Sequence, residues 1–336
     1  GQWFEDNAPI MDSHKRDKVQ GITYNVVSVA MLGGDVSPSS PIGINLPNSN
    51  WIRSNFGSKS VSLGNITAAY DKARSGGFLD EFAYTDKEKE RSKKHGSFAG
   101  KMHTAMHEVL GHASGKLEEG VGTPKETLKN YASTIEEGRA DLFGLYYIMD
   151  PKLIEMGLVD SDEVGKAEYD GYIRNGLMLQ LRRLQPGEKI EESHMRNRAY
   201  ISQWVFEKGQ PDNVIEKKIN DGKTYFVIND YEALQKLFGE LLREIQRIKS
   251  QGDYEAAKQL VEKYGVNVDQ AIHEEVLERS KALNIPPYAG FMNPHYKPVT
   301  DENEAITDIM ITYPDNFLEQ MLYYDEHYAF LPLENN

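Results

Sequence analysis

The sequence predicts an α+β fold, a mainly helical lobe joined to a small β-sheet built from N- and C-terminal segments. Three observations carry this prediction. A helical period of apolar residues dominates from Phe98 to about Leu283. Ile22 to Met31 is rich in β-branched residues and bounded by glycines, the pattern of a strand. Near the other end, Ile309, Ile311 and Tyr313 alternate as a half-buried strand should. The division that follows sets residues 1–50 and 285–336, which carry the strands, apart from a helical region at 51–284.

After the first strand, Gly33-Gly34 through Pro41 is a turn-rich connection. Ile42 to Leu46 is a second extended piece, stopped by Pro47. Segment 51–100 is mixed, and its charged run Asp86–Lys94 reads as a solvated face. Phe98–Ala113 reads as a helix ended by Gly115. Ser133 or Thr134 opens the next, with Glu136 or Glu137 completing a capping box, and it runs to about Met149. Further helices are expected at Tyr169–Leu184, Glu191–Lys208, Tyr231–Ser250, Tyr254–Tyr264 and Ile272–Leu283, until Pro286-Pro287 ends the helical region. His295–Val299 and Ile306–Tyr313 flank the polar turn Asp301-Glu302-Asn303 as a hairpin.

Composition narrows the function classes. The 336 residues carry a net charge of −14, which argues against nucleic acid or an anionic membrane as partner. The chain contains no cysteine, which excludes disulfides, thiolate metal ligands and a cysteine nucleophile. No apolar run is long enough to span a membrane, and no signal-peptide pattern is present. The chain begins Gly1-Gln2-Trp3, so the expectation is that an upstream segment has been removed, in a processed protein or an expressed fragment.

The chemistry concentrates in His107-Glu108-Val109-Leu110-Gly111-His112. Two imidazoles with a glutamate directly after the first are the pattern of zinc peptidases. Neutral imidazole is a good zinc ligand, and the glutamate can act as general base toward a water that the metal activates. The histidines are five residues apart rather than the usual four, which on a regular helix separates them by about 140° instead of about 40°. They converge on one metal only if the helix is locally widened, as by a π-bulge, and Gly111 is suited to absorb the distortion. A catalytic zinc needs a third protein ligand and an open position. Glu136-Glu137-Gly138-Arg139-Ala140-Asp141 supplies carboxylates on the next helix. Glu137 and Asp141 share a face, so one can bind metal while the other receives the N–H of a ligating histidine. An acidic helix start more often serves capping and the helix dipole; beside the histidine motif, the ligand reading is preferred.

Together these two motifs resemble the dipeptidyl peptidase III family, marked by His-Glu-x-x-Gly-His followed by Glu-Glu-x-Arg-Ala-Glu/Asp. The likeness extends to Gly111–Leu117, to Gly43-Ile44-Asn45-Leu46-Pro47-Asn48 and to His194-Met195 with Arg198. It is distinctive from about residue 40 to 200 and looser toward the C-terminus. The resemblance implies one zinc per chain on His107, His112 and Glu137, with Glu108 as general base and Glu136 and Asp141 supporting the ligands. It implies that His194 stabilises the transition state. Gly43, Asn45 and Asn48 would bind the substrate backbone and amino terminus, and Arg198 would face the carboxylate side of short peptides. An exposed strand edge is suited to holding a peptide. Taken alone, Asn48 after Pro47 is an ordinary turn residue, His194 an exposed helical histidine and Arg198 a solvated charge. The remaining histidines, His14, His95, His103, His273, His295 and His327, are read as structural, although His103 lies one turn before His107.

The activity implied is release of dipeptides from the N-terminus of short peptides. Family members are about twice as long and two-lobed, so this chain resembles their C-terminal half, and its implied partner is the N-terminal lobe of the same polypeptide. In the family that lobe supplies a tyrosine that polarises the scissile carbonyl and a glutamate that grips the amino terminus; neither has a counterpart in this sequence. The resemblance favours a cytoplasmic setting. Two rival readings are a non-catalytic peptide-binding zinc domain and a purely structural zinc domain. Glu108 weighs against the first, and the lack of cysteine for a closed four-ligand site weighs against the second.

Overall fold

The computed structural model describes residues 1–19, 22–30, 41, 43–46, 52, 56–73, 77–285, 293–314 and 316–328. In chain order its principal elements are strands β1 (Ile22–Val27), β2 (Gly43–Leu46) and β3 (Ser58–Leu63), and helices α1 (Gly64–Ala73), α2 (Asp86–Met106), α3 (Ala132–Ile148), α4 (Glu163–Leu177) and α5 (Ser193–Lys208). Strands β4 (Ile215–Asn220) and β5 (Lys223–Ile228) follow. Next come helices α6 (Tyr231–Gln251), α7 (Tyr254–Tyr264) and α8 (Gln270–Ala282), strands β6 (His295–Thr300) and β7 (Ile306–Thr312), and helix α9 (Phe317–Tyr328). The chain is thus mainly helical α+β. No helix among the described residues is long and apolar enough to cross a membrane.

Contacts divide the chain into two compact units. One comprises residues 1–23, 49–59 and 77–285, the other 24–48, 60–76 and 286–336. The first 23 residues therefore belong with the helices, whereas the sequence reading grouped all of 1–50 with the β region. The physical reason is that Phe4, Ala8 and Ile10 are buried in the helical core, and the Tyr147 hydroxyl donates to the Phe4 carbonyl.

Helix α3 is the axis of the larger unit. Leu142, Phe143, Leu145, Tyr147 and Ile148 are all sealed from solvent, so its C-terminal half is apolar nearly all round, as a central helix must be. Helix α6 packs beside it for an ordinary reason. The Asp230 side chain caps its start, Gly252 ends it at φ 66°, and Leu234, Phe238, Leu241, Leu242, Ile245 and Ile248 form one buried stripe. Burying each such side chain contributes roughly 1.5–3 kcal/mol as an upper estimate.

Several expectations are corrected. The charged run 86–94 is the N-terminal half of α2; Asp86, Lys87, Glu90, Lys93 and Lys94 are exposed as expected, but Glu88 and Arg91 join His95 and Ala99 on its buried face. Arg91 donates to Asp170 at 2.7 Å and to Glu163 at 2.8 Å on α4, and Arg174 pairs with Glu88, so these charges are buried because they are paired. Ser133 and Thr134 do not cap α3; a 3₁₀ turn at Lys129–Tyr131 runs straight into the helix, which begins at Ala132 without a side-chain cap. The helix expected at 169–184 is α4 followed by a 3₁₀ turn at Leu179–Arg183.

The helical-period reading also passed over β4 and β5. They pair antiparallel, Ile215 opposite Ile228, around a two-residue turn in which Asp221 and Gly222 both have positive φ, the geometry that an Asp-Gly pair favours.

The smaller unit contains strand segments from both ends of the chain. Strands lie in the order β1-β3-β2, and β6 and β7 form a separate antiparallel hairpin with Tyr296 opposite Ile311. The Tyr296 hydroxyl donates to the Ala30 carbonyl. Leu63 and Ile66 make the local core, with Val29 and Ile44 against it. The hairpin was expected to be half-buried, yet every residue of β7 is exposed, Ile309 at 54% and Ile311 at 47%.

Candidate metal centre

Helix α2 does not end at Met106. It continues as a π-helical turn over His107–Gly111, in which the His112 amide donates to the His107 carbonyl, five residues back, at 3.1 Å. The extra residue per turn removes most of the angular divergence that five-residue spacing imposes. The two imidazole centroids lie 4.8 Å apart with their planes at 86°. Gly111 is required by packing. A Cβ there would stand 2.5 Å from Ala140 Cα and 2.6 Å from Ala140 Cβ, so α3 touches the π turn along its backbone.

That close approach brings Glu137, on α3, against both histidines. Its Oε2 lies 3.3 Å from His107 Nε2 and 3.9 Å from His112 Nε2. One ligand atom from each of the three residues falls within 4.8 Å of the others, the metal-competent cluster among the described residues. A tetrahedral zinc with bonds of about 2.0–2.1 Å holds its donors about 3.3–3.4 Å apart. The set therefore fits one zinc after a small inward movement, with two neutral nitrogen donors, one carboxylate and a fourth position left for solvent.

The far side of each imidazole is held by a carboxylate. His107 Nδ1 meets Asp141 Oδ1 at 2.7 Å, and His112 Nδ1 meets Glu136 Oε1 at 3.1 Å. Each bond directs the Nε2 atom toward the cluster. Burial opposes a charge on His107, but the hydrogen bonds that its ring donates to Asp141 and Glu137 outweigh it and push its pKa up to about 10. Burial likewise works against ionised Glu137 and Asp141. The bond to His107 wins in both, with His194 adding to it at Glu137, which is held down to about 2, and Asp141 lies below the usual carboxylate range. A dication takes ionised carboxylates and neutral imidazole nitrogens, so zinc binding must displace the proton that these surroundings favour on His107.

Beneath these lies a layer that the motifs did not disclose. Asp141 Oδ2 accepts from the Tyr172 hydroxyl at 2.8 Å and from Asn197 Nδ2 at 3.0 Å. His103 bridges Glu168 Oε1, at 2.6 Å, and the Asp141 carbonyl, at 3.2 Å. Fully buried Arg139 donates to both oxygens of Glu136 and to Ser114, and Lys249 of α6 reaches Glu136 Oε2 at 2.6 Å. Despite the penalty of burial, these cations hold the Glu136 pKa well below its ordinary value. In return burial, then repulsion from Arg139, pulls Lys249 down to about 8. Arg139 stands inside the second motif and could have been suspected there. Lys249, Tyr172 and Asn197 come from three other helices, and no local pattern marks them.

Glu108 sits on the π turn between the two histidines, half-buried. His194, at the start of α5, is brought to the same cluster, its Nε2 3.5 Å from Glu137 Oε2. Hydrogen bonds to Glu137 and to Glu192 push its pKa up to about 10. Arg198, one turn further along α5, is half-buried, and its charge helps to keep Asp141 ionised. Gly43 lies in β2, where a Cβ would approach the Val61 carbonyl to 3.3 Å. The side chain of Asn45, and Asn48 altogether, lie outside the described residues.

Comparison with known proteins agrees with this architecture. The model of Peptidase family M49 matches residues 9–122 and 119–285. A Mus musculus protein named dipeptidyl peptidase 3 is 30% identical over 268 residues, 68% of this chain and 36% of that protein. A Nematostella vectensis protein of the same name is 27% identical over 293 residues, 76% of this chain and 39% of that one. The chain thus spans less than half the length of these relatives. The solved structure of DPP III from Caldithrix abyssi superimposes with a TM-score of 0.64 at 27% identity, covering 84% of this chain and 53% of that one. With matched segments running from residue 9 to residue 285, the chain belongs to peptidase family M49.

Proposed function

We propose that this chain is the catalytic half of a longer, two-lobed zinc peptidase that removes dipeptides from the N-terminus of short peptides. The observation that carries the reading is the convergence of His107, His112 and Glu137 across a π turn that also holds Glu108. Zinc, when bound, supplies the Lewis acidity that makes water nucleophilic near neutral pH and polarises the scissile carbonyl. His107, His112 and Glu137 hold it, and Asp141 and Glu136 keep the imidazoles turned toward it. Glu108 takes the proton of the attacking water and passes it to the departing amine. His194, lying between two carboxylates, keeps both ring nitrogens protonated and donates from Nε2 to the oxygen on which negative charge develops. Gly43, Asn45 and Asn48 pair with the substrate backbone and amino terminus by strand addition, and Arg198 attracts the carboxylate end. The relatives' names support a dipeptidyl peptidase, and their greater length leaves room for a second lobe that completes the substrate cleft.

The test is Glu108→Gln in the chain extended by its natural upstream sequence. The amide nearly preserves the shape and cannot act as base. Zinc content should stay at the wild-type level while release of dipeptides falls by about a hundredfold or more. Hydrolysis at near the wild-type rate would remove Glu108 from the mechanism.

A further inference from the structure

Helix α5 begins with an unusual cap. Among the described residues, the other side chains that cap helices are Thr85, Thr123, Asp150, Asp230, Asp253, Asp269 and Asn316, all short. Short side chains are preferred there because they reach the first free backbone N–H groups without an excess methylene to order. Glu192 is longer, and the extra reach is used. Its Oε2 accepts from Met195 N at 2.8 Å, while its Oε1 accepts from His194 N at 2.8 Å and also from His194 Nδ1 at 2.7 Å. One carboxylate therefore closes the helix start and grips the imidazole of the residue two positions on.

We infer that Glu192 is a positioning residue for His194, setting the ring so that Nε2 faces the oxygens of the metal centre. The inference rests on the zinc-peptidase reading for what His194 does, and on geometry alone for what Glu192 does to it. An exposed ion pair is ordinarily worth little, because two mobile side chains must be ordered to make it. Both of these are largely exposed, His194 at 57% and Glu192 at 53%. Here the usual cost is already met on one side, since two backbone N–H groups fix the carboxylate whether or not the ring is present. With Nδ1 bound to Glu192, the opposite ring nitrogen is left 3.5 Å from Glu137 Oε2, at the edge of the ligand cluster. Without that bond the imidazole of an exposed histidine rotates freely about its side-chain torsions, and the donor is turned toward the site for only part of the time.

The experiment separates capping from ring control. Glu192→Ser keeps a good helix cap, but its hydroxyl cannot reach Nδ1. The full chain, zinc-loaded and labelled with ¹⁵N-histidine, is examined by long-range ¹H–¹⁵N NMR, with His194→Gln assigning the signal. In the wild type the Nδ1 proton should exchange about tenfold more slowly than that of a free imidazole, and Glu192→Ser should abolish the difference while helix content and Tm stay unchanged. A phosphonamidate dipeptide analogue, whose tetrahedral anion resembles the transition state, should bind about tenfold more weakly to Glu192→Ser and to His194→Gln, and no more weakly to the double variant. Retained protection in Glu192→Ser, or an additive loss in the double variant, would overturn the assignment. The analogue is tested on the chain extended by its natural upstream sequence; a wild type in that form that bound zinc but not the analogue would count against the peptidase reading alone, and the Nδ1 signal would still decide the role of Glu192.

Discussion

Replacing Gly111 with alanine sets two physical effects against each other. Gly111 has no positive φ to protect, so on intrinsic preference alone alanine should stabilise the helix by about 1 kcal/mol. The structure predicts the opposite. The new Cβ would lie 2.5 Å from Ala140 Cα, 2.6 Å from its Cβ and 2.9 Å from its carbonyl oxygen. Two of those atoms are backbone, so no side-chain rotation relieves the clash. Ordinary contact begins near 3.4 Å, and α3 must retreat from the π turn by about 1 Å. Overpacking of this kind costs about 1–3 kcal/mol, which exceeds the gain from propensity. Ala140 lies between Glu137 and Asp141, so the same retreat carries both carboxylates away from His107, where separations of 3.3 Å and 2.7 Å now hold. Zinc affinity should fall by about 10- to 100-fold, the usual effect of disturbing the groups that orient a metal ligand. Urea unfolding of the chelator-treated protein measures the first quantity, and competition with a chromogenic chelator measures the second. A Gly111→Ala protein as stable as the wild type, with undiminished zinc affinity, would refute the argument that close backbone approach builds the site.

Metal analysis of the purified, unchelated chain should find about one zinc per molecule, and His107→Ala or His112→Ala should reduce this steeply; protein devoid of a transition metal would refute the ligand assignment. Zinc affinity should be pH-dependent well above the range of an ordinary histidine. Zinc takes neutral imidazole, and with the His107 pKa raised to about 10 the metal competes with a proton below that pH. Apparent affinity should therefore rise by up to about tenfold per pH unit from neutrality toward pH 9, and Asp141→Asn should flatten the rise in chelator titrations. By itself the chain should fold, because its helical core is self-contained, yet it should hydrolyse dipeptide-releasing substrates far more slowly than the same chain extended upstream. A missing cleft wall removes positioning that supplies several kcal/mol of a barrier; equal rates at equal zinc occupancy would show that the second lobe is dispensable.

Features set by local periodicity, or by residues close together in the chain, were legible without coordinates. Helix α7 runs from Tyr254 to Tyr264, as its apolar spacing and flanking residues indicate, and the pairing of β6 with β7 follows from two extended runs around a polar turn. The need for a widened helix between His107 and His112 followed from arithmetic on the helical repeat, and the π turn is there. Groups whose meaning depends on what packs against them became legible only in three dimensions. Arg91 sits in a run that looks solvated, and it is buried because α4 brings Asp170 and Glu163 to it. Lys249 reaches Glu136 across more than a hundred residues of chain, and Tyr172 and Asn197 meet on Asp141 from two different helices. Glu192 looks like one more acid at a helix start until its distance to the His194 ring is seen. Local sequence encodes backbone preference over a few residues, because propensity, capping and periodicity act at that range. The charge and orientation of a buried polar group depend on partners brought together by the whole fold, so the supporting layer of the site could be found only there.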